Sequence, residues 1–232
     1  SNKEALSVSA SDTATPGSYN VVVTQLAQAQ QVRSAAFSGS DATVGTGTLT
    51  LQVGTQDSVE ITIDAESNTL AGIAAAINEA EAGVTAGVVD DGNGNAYLTL
   101  LSPETGADNA ITLTIADDDG NNDDASGLSG LYTDPAAHTL TETQAALNAQ
   151  VTVNGIAVER SDNTIDDLLD GVTLTLNQED PGNPVTVEIA KDNSSAVSKV
   201  QSFVGQYNSL IDTLGKLQSY DAETGKAGLL LG

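Results

Sequence analysis

The chain has 232 residues, of which 39% are hydrophobic and only 3% aromatic, with no tryptophan, so Val, Ile, Leu and Ala must fill its interior. That length gives room for one or two domains with a proper core. Seven basic residues against 32 acidic ones give a formal net charge of −25. Such a surface repels phosphate backbones and anionic lipid, which argues against nucleic-acid and peripheral-membrane roles. Cysteine is absent, so packing alone must stabilise the fold, and no apolar run approaches the ~20 residues that cross a bilayer. The opening Ser1-Asn2-Lys3 and the closing apolar run Gly228-Leu229-Leu230-Leu231-Gly232 suggest a fragment, and targeting is unreadable.

In chain order, Leu6, Val8 and Ala10 alternate on one face of a first strand. Pro16-Gly17 predicts a turn into a partner strand carrying Tyr19, Val21 and Val23. The Ala- and Gln-rich stretch from Gln25 to Phe37 fits a helical turn or an extended crossover, and Gly39 to Gly47 has the small, polar composition of a linker. Alternating strands follow at Thr48 to Val53 and Val59 to Ile63. Leu70, Ile73, Ala74 and Ile77 then fall at i, i+3, i+4 and i+7, one face of an amphipathic helix over Thr69 to Glu81. Asn68 and Thr69 are both N-cap residue types, and Gly83 offers a left-handed stop. A strand from Val84 to Val89, a turn at Asp91-Gly92-Asn93-Gly94 and a return from Tyr97 to Leu101 complete a hairpin for the helix to cover. Burying Leu70, Ile73 and Ile77 there contributes roughly 5–8 kcal/mol by area.

After a strand at Ile111 to Ile115, residues 116–137 form a long polar loop with the acidic run Asp117 to Asp124. A calcium loop with Gly120 at its sixth position would use Asp117 and Asp119. It then has Ile115 first and Ser126 twelfth, so the pattern fails at both ends. A solvated acidic tip is the expected reading. The only histidine, His138, lies in a polar loop, and Gly127-Leu128-Ser129-Gly130 is one residue short of a nucleophile elbow. Nucleotide-binding glycine motifs and zinc-ligand clusters are absent. No catalytic site, cofactor or metal is expected.

A second copy of the helix-on-hairpin unit is suggested downstream. Val151 to Val153, Asn154-Gly155 and Ile156 to Glu159 predict a hairpin, since Asn-Gly supplies two positive-φ residues. Asn163-Thr164-Ile165-x-x-Leu168, then Gly171-Val172-Thr173, echoes Asn68-Thr69-Leu70-x-x-Ile73, then Gly83-Val84-Thr85. Thr164-x-x-Asp167 resembles a capping box for a second short helix. Val172 to Leu176, a Pro181-Gly182 turn and Val185 to Ile189 would follow as strand and return strand. The expected fold is therefore α+β: two related small domains of antiparallel sheet plus a short helix, one inserted in the other. Residues 1–46 and 147–192 form the discontinuous domain, 47–146 the insert, and 193–232 a long C-terminal amphipathic helix. In that helix Val197, Val200, Val204, Tyr207, Ile211 and Leu214 alternate three and four apart, with Phe203, Leu210 and Leu217 alongside, a stripe too wide for solvent and suited to packing against partners.

Four segments carry a resemblance. Gly17-x-Tyr19-x-Val21-x-Val23-x-Gln25-Leu26-Ala27 resembles the start of the flagellar filament cap family, the hook-associated protein 2 family. Asn68-Thr69-Leu70-x-x-Ile73 to Ile77-Asn78, with Gly83-Val84-Thr85, is similar to the "IN" motif of flagellins and hook-associated proteins. Gly155-Ile156, Asn163-Thr164-Ile165 and Gly171-Val172-Thr173-Leu174 resemble the family's next domain. Phe203-x-x-x-Tyr207-Asn208-x-Leu210, with Ser219-Tyr220-Asp221-x-x-Thr224-Gly225, resembles its helical leg. The resemblance implies a secreted, extracellular structural protein at the flagellum tip, where a ring-shaped homo-oligomer guides exported flagellin into the filament. It implies plate domains called D2 and D3, a D1 leg beginning near Ser194, and contacts with hook-associated junction proteins. An adhesive surface module reaching host glycans or receptors, and a flagellin-like or hook–filament junction subunit, are the alternatives.

Overall fold

The TLTL-type alternation of this chain folds into strands whose leucines, valines and isoleucines face inward and whose threonines face out. The clearest case is Gly47–Val53, where Leu49, Leu51 and Val53 are buried and Thr48, Thr50 and Gln52 are not. The computed structural model describes residues 4–218 with Tyr220, Asp221, Glu223, Lys226 and Ala227. Ser1 to Lys3, Ser219, Thr224, Gly225 and the closing run 228–232, all noted in the sequence, lie outside the described residues. The chain divides into two compact units, 1–188 and 189–232.

Within the first unit, the inserted lobe comprises β3 (Ala29–Arg33), β4 (Gly47–Val53), β5 (Val59–Ile63), α1 (Leu70–Glu79), β6 (Thr85–Asp90), β7 (Ala96–Thr105), β8 (Ile111–Asp117) and β9 (Thr141–Gln144). They form a three-stranded sheet in the order β5-β4-β8 and a four-stranded sheet in the order β6-β7-β3-β9. Helix α1 packs on β5, β6 and β7. Leu70, Ile73 and Ile77 are fully buried beside Leu49, Leu51, Ile63, Leu98 and Leu100, so the face read from the 3.6-residue period is the core face.

The start of α1 leaves no N–H orphaned. Leu70 and Ala71 donate to the carbonyls of Ala42 and Ser40, and Ile73 donates to that of Thr69. The Thr69 hydroxyl accepts from the Gly72 N–H at 3.0 Å. Residues 39–47 are thus a cap for the helix rather than the expected linker, and Val44 is buried in the core. The helix closes at Ala80, and the left-handed residue that ends it is Glu81 (φ 50°). Gly83, expected as the stop, is left-handed (φ 72°) two residues later, at the entry to β6.

The base lobe contains β1 (Leu6–Ala10), β2 (Gly17–Gln25), β10 (Ala149–Val153), β11 (Ile156–Arg160), β12 (Thr164–Leu169), β13 (Val172–Leu176) and β14 (Val185–Ile189). Its sheets run β1-β13-β12 and β11-β10-β2-β14, with Val21, Val23, Val151, Val153, Ile165, Leu174, Val185 and Val187 buried. Asn154 (φ 49°) and Gly155 (φ 83°) make the expected tight turn between β10 and β11. The first two strands join the last ones, β1 beside β13 and β2 beside β14, but two expected hairpins do not form. β1 and β2 fall in different sheets, as do β13 and β14, so Pro16-Gly17 and Pro181-Gly182 carry the chain from one sheet to the other.

The expected second short helix is a strand. Thr164–Leu169 pairs with β13, with an irregularity between Ile165 and Leu169. Six residues are too few to repay helix nucleation, and β13 offers them a ladder of hydrogen bonds. Asn163, read as a cap, instead bonds the backbone of Ala27. Residues 29–46, expected with the discontinuous domain, pair within the inserted lobe, because β3 lies between β7 and β9. The α+β class, the antiparallel sheets and the long C-terminal helix stand.

Candidate functional site

The apolar stripe expected on the tail lies along one helix, α2 (Ser194–Gln218), the main element of the second unit. Asp192 starts it: its carboxylate accepts the Ser194 N–H at 2.8 Å, and that backbone bond holds its pKa below the usual carboxylate value. Val197, Val200, Phe203, Val204, Tyr207, Leu210, Ile211 and Leu214 are all exposed, from 37% at Leu214 to 67% at Phe203. Phe203 and Tyr207, one turn apart, stack at a centroid distance of 6.5 Å. The intermediate Leu217 and the polar positions Lys199 and Asp212 complete an amphipathic rod. Its 25 residues could span about 37 Å. Tyr220–Asp221 and Lys226–Ala227 pair antiparallel just beyond it as β15 and β16.

The acidic loop is more ordered than a solvated tip. Asp117 accepts the Ser129 N–H through Oδ2 at 2.9 Å. The Ser129 hydroxyl donates to the Asn121 carbonyl, and Asn121 Nδ2 donates to Asp124 Oδ2. The loop thereby aims the following turn, Gly127–Leu131, into the core, where Leu128, Leu131 and Tyr132 are buried. The Tyr132 hydroxyl donates to the Leu113 carbonyl at 3.1 Å, and burial raises its pKa. His138 sits on the outside of this plug, edge-on to Tyr132 at 5.3 Å, with Nε2 2.8 Å from Asp123 Oδ1. Serine 129, part of the near-miss elbow, is fully buried and bonded to backbone; His138 is engaged by Asp123. Neither is set up as a nucleophile with its base. Among the described residues no three His, Asp or Glu side chains converge to hold a metal.

Asp167, read as a capping-box residue, pairs with Arg160 at 2.9 Å. The hydrogen bond from Arg160 lowers the carboxyl pKa. The pair is exposed, so its stabilisation is small.

Comparison with known proteins matches this architecture segment by segment. A family model of the flagellar hook-associated protein 2 N-terminus matches residues 1–30, one of its C-terminus matches 146–232, and the flagellin hook IN motif matches 48–100. Flagellar hook-associated protein 2 of Escherichia coli K12 is 37% identical over 243 residues, covering 100% of this chain and 51% of that protein. The chain thus spans about half the length of the curated relatives it matches. The crystal structure of the D2–D3 domains of the Escherichia coli flagellar cap protein FliD is 37% identical with a TM-score of 0.72, covering 81% of this chain and 94% of that one. The D2–D3 domains of the Serratia marcescens cap protein follow at 32% identity and TM-score 0.70, covering 80% of this chain and 100% of that one. The two family models that bracket the IN match are also the two stretches that build the base lobe. The chain belongs to the flagellar hook-associated protein 2 family, the flagellar cap proteins.

Proposed function

We propose that this chain is the plate, with the start of the leg, of a filament cap that sits at the flagellum tip and guides exported flagellin into the growing filament. The observation that carries the reading is the solved D2–D3 body of the Escherichia coli cap protein, 94% of which this chain covers at 37% identity. The base lobe corresponds to a D2-like domain and the inserted lobe, with its IN segment, to a D3-like domain. The chain crosses between them at Gln28 and Leu147, whose backbones pair. Helix α2 begins the D1-like leg, and its stripe from Val197 to Leu214 is the face on which the remaining leg helices and neighbouring subunits of a ring pack. Flagellin and other copies of the protein are the partners. The protein is secreted, acts outside the cell and performs no catalysis.

Position on the flagellum tests this. A single cysteine at Asn93, in the exposed β6–β7 turn, gives the full-length protein a unique site for a gold label when the rest of the chain is likewise free of cysteine. A cap places gold at filament ends. Gold along the filament would make the protein flagellin-like, and gold at the hook–filament boundary would make it a junction subunit; either contradicts the proposal.

A further inference from the structure

We infer that the two lobes of residues 1–188 are locked in one mutual orientation by a hydrogen-bonded buckle, in which residues 105–107 of the inserted lobe are gripped by Asn148 and Ser161. Two chain crossings alone would make a hinge, and relative motion is the default for joined lobes. Here the crossings are paired, Gln28 with Leu147, through bonds of 2.8 and 3.0 Å. Three more bonds then tie in the loop after β7. The Thr105 hydroxyl donates to the Ser161 carbonyl at 2.7 Å. The Gly106 N–H donates to the Gln28 carbonyl at 3.2 Å, and the Ala107 N–H donates to Asn148 Oδ1 at 2.7 Å.

The grip is close enough to need glycine. Gly106 has φ +105°, and a Cβ there would lie 2.6 Å from Ser161 Cβ and 3.0 Å from its Cα. Both jaws are fixed from behind. Asn148 donates through Nδ2 to Glu159 at 2.8 Å, and its carbonyl accepts from Gln25 Nε2 at 2.7 Å. Two residues past Ser161, Asn163 holds Ala27 from both sides, accepting its N–H at 2.8 Å and donating to its carbonyl at 2.9 Å. Asn148 and the segment just after Ser161 are thus each anchored within the base lobe.

The chain's lack of cysteine permits a direct test with spin labels on two introduced cysteines in the whole chain. Asn93→Cys with Glu188→Cys reports across the lobes, and Asn93→Cys with Asp57→Cys reports within the inserted lobe. The expected cross-lobe distance distribution is as narrow as the within-lobe one. Thr105→Val with Asn148→Ala should widen it at least about twofold, towards the freedom ordinary linked domains show, and leave the within-lobe distribution unchanged. A broad cross-lobe distribution in the unsubstituted protein, or no widening in the double variant, overturns the inference. Should the double variant misfold, Thr105→Val alone, which removes one hydroxyl at constant shape, must widen the distribution measurably, and failure to do so overturns it equally.

Discussion

Asn78 bonds the backbone of Ala86 at both its polar groups: the side-chain amide donates to the Ala86 carbonyl at 2.8 Å and accepts the Ala86 N–H at 2.9 Å. One helical residue thus replaces a missing strand on the open edge of β6, the terminal strand of its sheet. Its neighbour Ile77 is fully buried under the helix. The Ile-Asn pair therefore has a physical meaning: the first residue fastens α1 to the core and the second fastens it to the sheet edge.

Asn78→Ala should destabilise the inserted lobe by about 2–4 kcal/mol, since it leaves two part-buried backbone groups unpaired. Ile77→Ala should cost about 2–5 kcal/mol through the cavity it opens. Urea unfolding followed by circular dichroism reads both. Equal stability of Asn78→Ala and the unsubstituted chain would show that water satisfies Ala86.

The acidic loop is expected to be required for folding, because it aims Leu128, Leu131 and Tyr132 into the core. Leu128→Ala should cost about 2–5 kcal/mol, measured as a lowered urea midpoint. Tyr132 adds a pH signature. Burial raises its pKa in the folded state above the ordinary 10.0, so its contribution is complete below pH 10. Above that the unfolded chain ionises first and stability falls as pH rises through the folded pKa. Tyr132→Phe should remove this component of the alkaline loss, and an identical alkaline limb in the variant would contradict it.

Gly45, in the cap segment 39–47, contrasts with Gly92 in the β6–β7 turn. A Cβ on Gly45 would lie 2.6 Å from Gly127 Cα and 2.7 Å from Leu128 N, whereas one on Gly92 meets nothing. Gly45→Ala should cost about 1–3 kcal/mol by overpacking backbone against backbone. Gly92→Ala, strained only by its φ of +73°, should cost about 1 kcal/mol. Thermal melts of the two variants order them, and a smaller loss at Gly45 would return that segment to the status of a linker.

Helix α1 was legible because cap, period and length agreed, and β4 and β8 because strict alternation admits little else. Thr164 to Leu169 was not: Ile165, Leu168 and Leu169 satisfy helical spacing, and only the free edge beside β13 decides for strand. Turns were legible in chemistry but not in destination. Pro16-Gly17 reads the same whether the chain folds back or crosses to the opposite sheet, because the partners of β1 and β2 lie far along the chain, at residues 172–176 and 149–153. The plug at Leu128 to Tyr132 was hidden by its acidic surroundings, and Asn148 and Asn163 by being ordinary loop residues. The helix and apolar periodicity of α2 were legible, since a seven-residue pattern needs no tertiary partner to define it.

That stripe should make the chain self-associate. Of its eight exposed apolar side chains, Val200, Phe203, Val204, Tyr207, Ile211 and Leu214 alone forgo roughly 9–18 kcal/mol of burial when left in water, set against repulsion among a net charge of −25 that salt screens. Sedimentation should show concentration-dependent oligomers strengthened by salt, and a monomer for a chain ending at Asp192. Equal oligomeric states would place the interface in the lobes.

The most direct measurement of the capping account is the fate of flagellin. In Escherichia coli, the matching segment of the cap protein would be replaced by this one, in unsubstituted form and with Phe203→Ser and Ile211→Ser, and flagellin partitioned between filaments and medium. The account predicts attached filaments and swimming cells with the unsubstituted segment, and unpolymerised flagellin in the medium with the stripe variant at equal cap-protein levels. Filaments of normal length from the stripe variant, or none from a folded unsubstituted chimaera, would contradict it.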